Sequence, residues 1–292
     1  MKIYNLGSLN IDYVYSVEHF VGAGETLASD NMQIFPGGKG LNQSIALSRA
    51  GSNVIHGAIL GSDGEFLKQI MFDSGVDISR IKSVKHPSGH AIIQVDKSGQ
   101  NSILLYGGTN REIDCEYIEQ FLSDANENDI LVLQNEISNL SVAFEIAIKH
   151  KMQIAFNPSP FDETIHDLPL QHVKWWFCNE TEGEALFDSS NPEEIAESFI
   201  QKYPDSNLIL TLGEKGCIFK NADKFIRQPI YETVVIDTTA AGDTFTGYFI
   251  SAVSCGKDIE YALKIASKAS SVTVSRKGAA VSIPYNNEIS IA

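Results

Sequence analysis

The stretch Asp237-Thr-Thr-Ala-Ala-Gly-Asp-Thr-Phe-Thr-Gly247 sets small residues between two aspartates, directly after the apolar run TVVI and before the apolar YFISAV. A strand in front and a helix behind place Ala-Ala-Gly-Asp on a strand-to-helix turn, with Asp243 at or near the helix start. Unpaired backbone N–H groups at such a start form an anion site, and the small side chains let a bulky anion approach the backbone. Phosphate suits this arrangement. The same residues also read as a plain helix start, with Asp243 as the N-cap and Gly242 as a turn residue.

A second cluster, Pro36-Gly-Gly-Lys-Gly-Leu-Asn-Gln43, leads into the helical pattern NQSIALSRAG. Three glycines around a lysine, with Asn42 close by, offer close backbone approach plus a cation and an amide. The alternative is a flexible turn with a solvated lysine. Neither this cluster nor any other stretch has the Walker A spacing, and GAGETL at 22–27 is not a dinucleotide fingerprint because position 27 is Leu.

Outward from these turns, short β-branched or aromatic runs at 2–6, 53–59, 129–134, 152–156, 175–178 and 207–212 alternate with helical patterns at 41–50, 64–74, 139–150, 192–202, 243–255 and 258–275. Such alternation predicts an α/β fold with a central, mainly parallel sheet. Residues 12–35 and 90–106 break the rhythm with short alternating strands, the second pair joined by the turn DKSGQN. They predict a small second sheet projecting from the main one. With no linker, repeat or low-complexity segment, the whole span 1–292 is expected to form one domain.

Bulk properties narrow the function. A formal net charge of −15 and a pI near 4.8 argue against a nucleic-acid partner, which needs clustered Lys and Arg. No window approaches the roughly 18 apolar residues of a membrane span, and the start MKIYNLGSLNID reads as a strand rather than a signal peptide. The cysteines at 115, 178, 217 and 255 are widely spaced, which suits packing roles in a reducing compartment. A soluble cytoplasmic protein is expected.

The two glycine clusters resemble the signature motifs of the ribokinase (PfkB-type) sugar kinases, and the similarity runs the length of the chain. It includes GSLNID at 7–12, QNE at 134–136, NPSP at 157–160, NETE at 179–182, TLGEKG at 211–216 and SRKGAA at 275–280, in the family's order. The resemblance implies a ribokinase-like three-layer sandwich with a small β-sheet lid. It also implies an ATP-dependent kinase acting on the primary hydroxyl of a pentose, most simply D-ribose.

Residue by residue, the resemblance assigns Asp243 as the base that accepts the sugar hydroxyl proton, and Ala240, Ala241 and Gly242 as the anion hole. A helix start should lower the Asp243 pKa, which a loose phosphoryl-transfer transition state tolerates. Asn10, Asp12, Gly38, Lys39, Asn42 and Glu136 match sugar-binding positions, and Asn179, Thr211, Gly213, Gly216 and Ser267 match nucleotide contacts. Glu182 matches an acid that organises Mg²⁺ through water. A monovalent-cation site, usually for K⁺, maps to Asp237, Thr239, Thr273, Arg276, Gly278 and Ser282, mostly through main-chain oxygens.

The chain also departs from the family pattern. The lid turn VGAGET lacks the usual prolines, the loop after GSDG is short, His90 stands where a small aliphatic residue beside the sugar is usual, and Arg111 is an added cation. These changes bear on the sugar rather than the reaction. A ketohexose, a deoxy-sugar or a nucleoside are the alternative substrates. A catalytically silent sensor would have no need of the intact AAGD, and a nicotinamide oxidoreductase lacks its fingerprint. Exposed strand edges of the small sheet predict a homodimer paired through it.

Overall fold

A computed structural model describes residues 1–291. The chain opens with β1 (Ile3–Leu6), β2 (Asn10–Ser16) and β3 (Asn31–Gly37), then α1 (Lys39–Arg49), β4 (Val54–Gly57), β5 (Ile59–Gly61) and α2 (Glu65–Asp73). There follow β6 (Lys82–Val84), β7 (Gly89–Val95), β8 (Asn101–Tyr106), α3 (Cys115–Phe121), β9 (Ile130–Gln134), α4 (Leu140–Lys149) and β10 (Gln153–Asn157). The last part comprises β11 (Val173–Asn179), α5 (Glu180–Phe187), α6 (Pro192–Lys202), β12 (Asn207–Thr211), β13 (Cys217–Lys220), β14 (Phe225–Gln228), α7 (Ala241–Ser254) and α8 (Ile259–Val274).

The main sheet has the order β14-β13-β12-β11-β10-β9-β1-β4. Its six strands from β12 to β4 are parallel, and each coincides with an apolar run read from the sequence. Two antiparallel strands, β13 and β14, extend one edge and were not anticipated. The four strands β3-β2-β7-β8 form the small separate sheet, and β5 pairs with β6.

Alternation along each parallel strand divides the interior into two cores. Ile130 and Val132 of β9 face one core with Leu41 and Ile45 of α1, Phe249 of α7 and Leu263 of α8. Leu131 and Leu133 face the other, against Phe121 of α3, Phe144 of α4 and Phe199 of α6. The sheet is thus the middle of three layers, and its parallel strands are mainly apolar because both faces are covered. Each large side chain so buried contributes roughly 1.5–3 kcal/mol, the driving force for the layered arrangement.

Within the first layer, α1 and α7 touch at Gly247. A Cβ built on Gly247 would come within 2.4 Å of the Ala46 Cβ and 2.8 Å of the Leu47 amide nitrogen. Only a bare Cα permits this spacing. One helical turn toward the start of each helix lie Asn42 and Asp243, so this crossing sets how close those side chains come.

Gly247→Ala should force the helices apart and destabilise the fold by about 1–3 kcal/mol, the usual range for overpacking, with a loss of turnover from a widened Asn42–Asp243 gap. Ala46→Gly in the same chain should recover part of both. Urea denaturation and steady-state rates on the two single variants and the double check this; independent, additive effects would count against a shared contact.

Candidate active site

The C-terminal ends of the parallel strands, where open α/β sheets bind ligands, share a cavity with the first turns of α1 and α7. α1 begins against the end of β1 because two glycines meet there: a Cβ on Gly40 would lie 2.4 Å from the carbonyl carbon of Gly7. Gly38, the residue before the helix, has φ 96°, a left-handed conformation, and a Cβ there would meet the Ser8 carbonyl at 2.8 Å. The backbone can therefore turn tightly into Lys39.

Glu136 caps this helix start. Its carboxylate accepts the Lys39 N–H at 3.0 Å, a hydrogen bond from the Ser8 hydroxyl, and the Lys39 ammonium at 3.4 Å. Burial would lower the Lys39 pKa, but the carboxylates of Glu136 and Asp243 outweigh it and leave the pKa above its ordinary value. Asp12 lies over Gly37, whose missing Cβ would fall 2.1 Å from the Asp12 carboxylate. Desolvation, then repulsion from Glu136, pushes the Asp12 pKa up to about 7 against the pull of Lys39. Asn10 is held by Asn110, whose amide donates to it at 2.7 Å. Asn10 and Glu136 line a common cavity of about 90 Å³.

Asp243 is the third residue of α7, not its cap; the cap position is Ala240, in the left-handed conformation at φ 62°. Its carboxylate accepts from the Asn42 amide at 3.0 Å and the Gln43 amide at 2.9 Å. The expected lowering of its pKa by the helix start is reversed. Burial raises it, and Lys39, Gln43 and Asn42 only partly restrain that rise. Among the described residues the N–H groups of Gly242 and Asp243 have no acceptor, whereas that of Ala241 is bonded to the Thr238 carbonyl at 3.3 Å. A Cβ on Gly242 would meet nothing within 4 Å, so the approach to these donors is open.

Two cavities meet at this turn. One, of about 230 Å³, runs from Lys39 and Asp243 to Asn179 and Glu182. The other, of about 300 Å³, continues past Thr211, Gly213 and Gly216 to Ser267. Thr211, Thr238, Ala241 and Gly242 line both. Asn179 and Glu182 cap α5 reciprocally: Asn179 accepts the Glu182 N–H at 2.8 Å, and Glu182 accepts the Asn179 N–H at 3.0 Å. Both Glu182 oxygens are engaged with Asn179, so a Mg²⁺ ion would meet this carboxylate through water, in keeping with the hydration that Mg²⁺ retains.

Of the residues expected at the cation site, Asp237 and Thr239 lie on one loop, Arg276, Gly278 and Ser282 on an adjoining one, and Thr273 in the last turn of α8. The Asp237 carboxylate accepts from the Thr239 N–H at 2.9 Å and the Gly278 N–H at 2.9 Å. Among the described residues the carbonyls of Thr239, Arg276 and Gly278 accept no hydrogen bond, a donor set that fits a large monovalent cation. Thr273 is less free, with its carbonyl taken by the Arg276 N–H at 3.1 Å. Ser282 is buried, its hydroxyl donating to the Ala279 carbonyl at 2.7 Å.

His90 is not where the sequence suggested. It pairs in register with Ile11 and Tyr106, whereas Asp12 pairs with Ala91, and Ala91 with Leu105. Successive side chains alternate across a sheet, so His90 points away from the Asp12 face. There it packs on Tyr106, ring centroids 4.9 Å apart, and on the edge of Tyr13. Arg111, by contrast, does line the cavity shared by Asn10 and Glu136. Ser8, Gln43 and Asn110 were not singled out, although Gln43 sits inside the quoted GGKGLNQ motif and its position beside Asn42 was the available signal.

A layered α/β sheet whose two cavities join at open helix-start amides, beside a half-buried carboxylate, is the architecture of a small-molecule phosphotransferase. The chain matches the pfkB family carbohydrate kinase model over residues 2–286 and belongs to that family. It is 35% identical to a ribokinase of Haemophilus influenzae across 97% of this chain and 95% of the relative. The ribokinase structure of Thermotoga maritima superimposes with a TM-score of 0.87 at 33% identity, covering 98% of this chain and 97% of that one. Arabidopsis thaliana ribokinase complexed with ribose and ATP gives a TM-score of 0.87 at 29% identity, covering 98% and 96%.

The raised Asp12 pKa has a stability consequence. Between 3.8 and about 7 the folded chain binds more protons at Asp12 than the unfolded chain, so this group's contribution to stability falls as pH rises through that window. Asp12→Asn should therefore be more stable than wild type above pH 7, on the order of 2 kcal/mol, and lose that advantage toward pH 4. Denaturant titrations at the two ends of the window check it; a pH-independent difference would contradict the assignment.

Proposed function

We propose that this protein is an ATP-dependent kinase of D-ribose, forming D-ribose 5-phosphate. The observation that carries the reading is a set of acceptors without donors. The Asp12 carboxylate has no hydrogen-bond partner among the described residues, and the buried Asn42 Oδ1 beside Asp243 has none either. A polyol supplies the missing O–H donors, and Asn10, Lys39 and Glu136 complete a polar set sized for a small sugar. A phosphorylated sugar needs a concentration of cations. Among the described residues only Lys39 and Arg111 stand near.

In this reading Asp243 takes the proton from the primary hydroxyl as that oxygen bonds to the γ-phosphorus, the bond to the β-phosphate oxygen breaks, and ADP leaves. The open N–H groups at the start of α7, with Ala240, Ala241 and Gly242 shaping the turn, stabilise charge on the transferring group. Asn179, Thr211, Gly213, Gly216 and Ser267 border the nucleotide cleft. Glu182 would hold Mg²⁺ through water, and the ion would supply charge neutralisation on the phosphates. K⁺ between the Asp237–Thr239 loop, Thr273 at the end of α8, and the loop of Arg276, Gly278 and Ser282 would hold the α7 turn in its binding shape.

In this reading the small sheet serves as a lid over the sugar, within a single domain spanning the chain. Its outer face carries exposed Ile34, Ile92 and Leu104 in one cross-strand row, which supports a homodimer covering that face. No helix among the described residues is long and apolar enough to cross a membrane, and all four cysteines are free thiols. Use of ATP and free thiols support a cytoplasmic setting.

Asp243→Asn should lower kcat by roughly 10³-fold with sugar KM little changed, the signature of a lost proton acceptor. ADP release screened across ribose, deoxyribose, fructose, nucleosides and sugar phosphates should rank ribose first. Preference for a phosphosugar that Arg111→Ala abolishes would move the substrate while keeping the kinase. Replacing Na⁺ by K⁺ should raise the rate, and sedimentation at micromolar concentration should give a dimer; equal rates or a monomer would remove the respective proposal.

A further inference from the structure

Behind Asp243 runs a buried chain of amides that the proposed reaction does not itself use. Gln43 donates to Asp243 Oδ1 at 2.9 Å and accepts from Gln134 Nε2 at 2.7 Å. The same Gln134 nitrogen donates to Asn5 Oδ1 at 3.0 Å, and Asn5 donates in turn to the Gly40 carbonyl at 2.9 Å and the Ser44 hydroxyl at 2.8 Å. Ser44 closes the chain on the fully buried His56 at 2.8 Å. Four elements converge here: β1, β9, β4 and α1.

The chain has a fixed direction. A backbone carbonyl can only accept, so Gly40 obliges Asn5 to present its NH₂ there and its oxygen to Gln134. Gln134 must then donate, and Gln43 must turn its oxygen toward Gln134 and its NH₂ toward Asp243. The fold therefore dictates that Asp243 meets a donor on Oδ1, while Asn42 supplies one on Oδ2. Gln134 Oε1 and His56 Nε2 are left without partners, a cost that apolar residues of similar size would avoid.

We propose that Gln43 is a positioning residue for phosphoryl transfer, and that Gln134 and Asn5 hold its amide in the one orientation that keeps Asp243 an oriented proton acceptor. This rests on the reading of Asp243 as the base. Directed hydrogen bonds in a low-dielectric interior reinforce one another, which gives Gln134 an effect on a carboxylate it does not touch.

Gln43→Met keeps the length and removes the amide. Expected are a kcat lower by about 30–100-fold, a ribose KM within about threefold of wild type, and an acidic limb of the kcat–pH profile displaced upward by about one unit. Lys39 and Glu136 are the other charged groups facing Asp243, and both remain in place. Gln134→Met should act in the same direction by about 5–10-fold, and the double variant should be no slower than Gln43→Met alone. Gln43→Glu, which preserves volume and puts an acceptor against Asp243, should displace the limb at least as far and stands in if Gln43→Met fails to fold. Wild-type kcat and limb in a folded Gln43 variant, a change confined to KM, or additive effects would overturn the proposal. Asp243→Asn separates the two ideas: retained turnover removes the base reading itself, whereas a dead Asp243→Asn beside a normal Gln43→Met overturns the chain alone.

Discussion

The close crossing of α1 and α7, with Gly247 against Ala46, is the constraint on which the site depends. A helix rises about 5.4 Å per turn, so a contact without an intervening Cβ leaves Asn42 and Asp243 within amide reach one turn higher. The contact of Gly40 on Gly7 does the same for the other wall, bringing Lys39 to Glu136. Small residues at these points have no chemistry of their own. They determine where the chemistry of their neighbours can occur.

The result is a crowded arrangement of charge. Asp12, Glu136 and Asp243 share essentially one cation, Lys39, in a half-buried setting, and desolvation raises the pKa of both aspartates. Such an arrangement opposes folding and is tolerated because two apolar cores on either side of the sheet contribute far more. The strand middles are mostly apolar, with Asn5 of β1 and His56 of β4 as buried polar exceptions, and the strands end at the site. Functional groups therefore collect at one rim, where loops can differ without disturbing the layers.

Much of this was legible in the sequence. The six parallel strands announce themselves as continuous apolar runs because both faces are covered, and the two glycine-rich turns because close backbone approach demands their composition. The edge strands β13 and β14 were less visible, since CIFK and FIRQ are four residues long and the outer one is largely exposed. His90 was assigned to the wrong face because a one-residue difference in register reverses every side chain, and register is a property of the paired strands. Gln134 and Asn5 read as ordinary strand residues; their meaning arises only where four elements converge. The Asp243 pKa went the other way because burial, which the sequence does not display, exceeds the pull of the helix start.

Ala240 has a consequence of a different kind. An alanine at φ 62° sits in a conformation that glycine would adopt freely, and holding it there costs of order 1 kcal/mol in the native state. The same methyl group narrows the range of shapes open to the unfolded chain. The turn ahead of α7 therefore keeps this strained shape because the surrounding fold holds it there. Association with a nucleotide then carries little entropy cost for ordering this segment, and the turn acts as a preformed mould rather than a closing clasp.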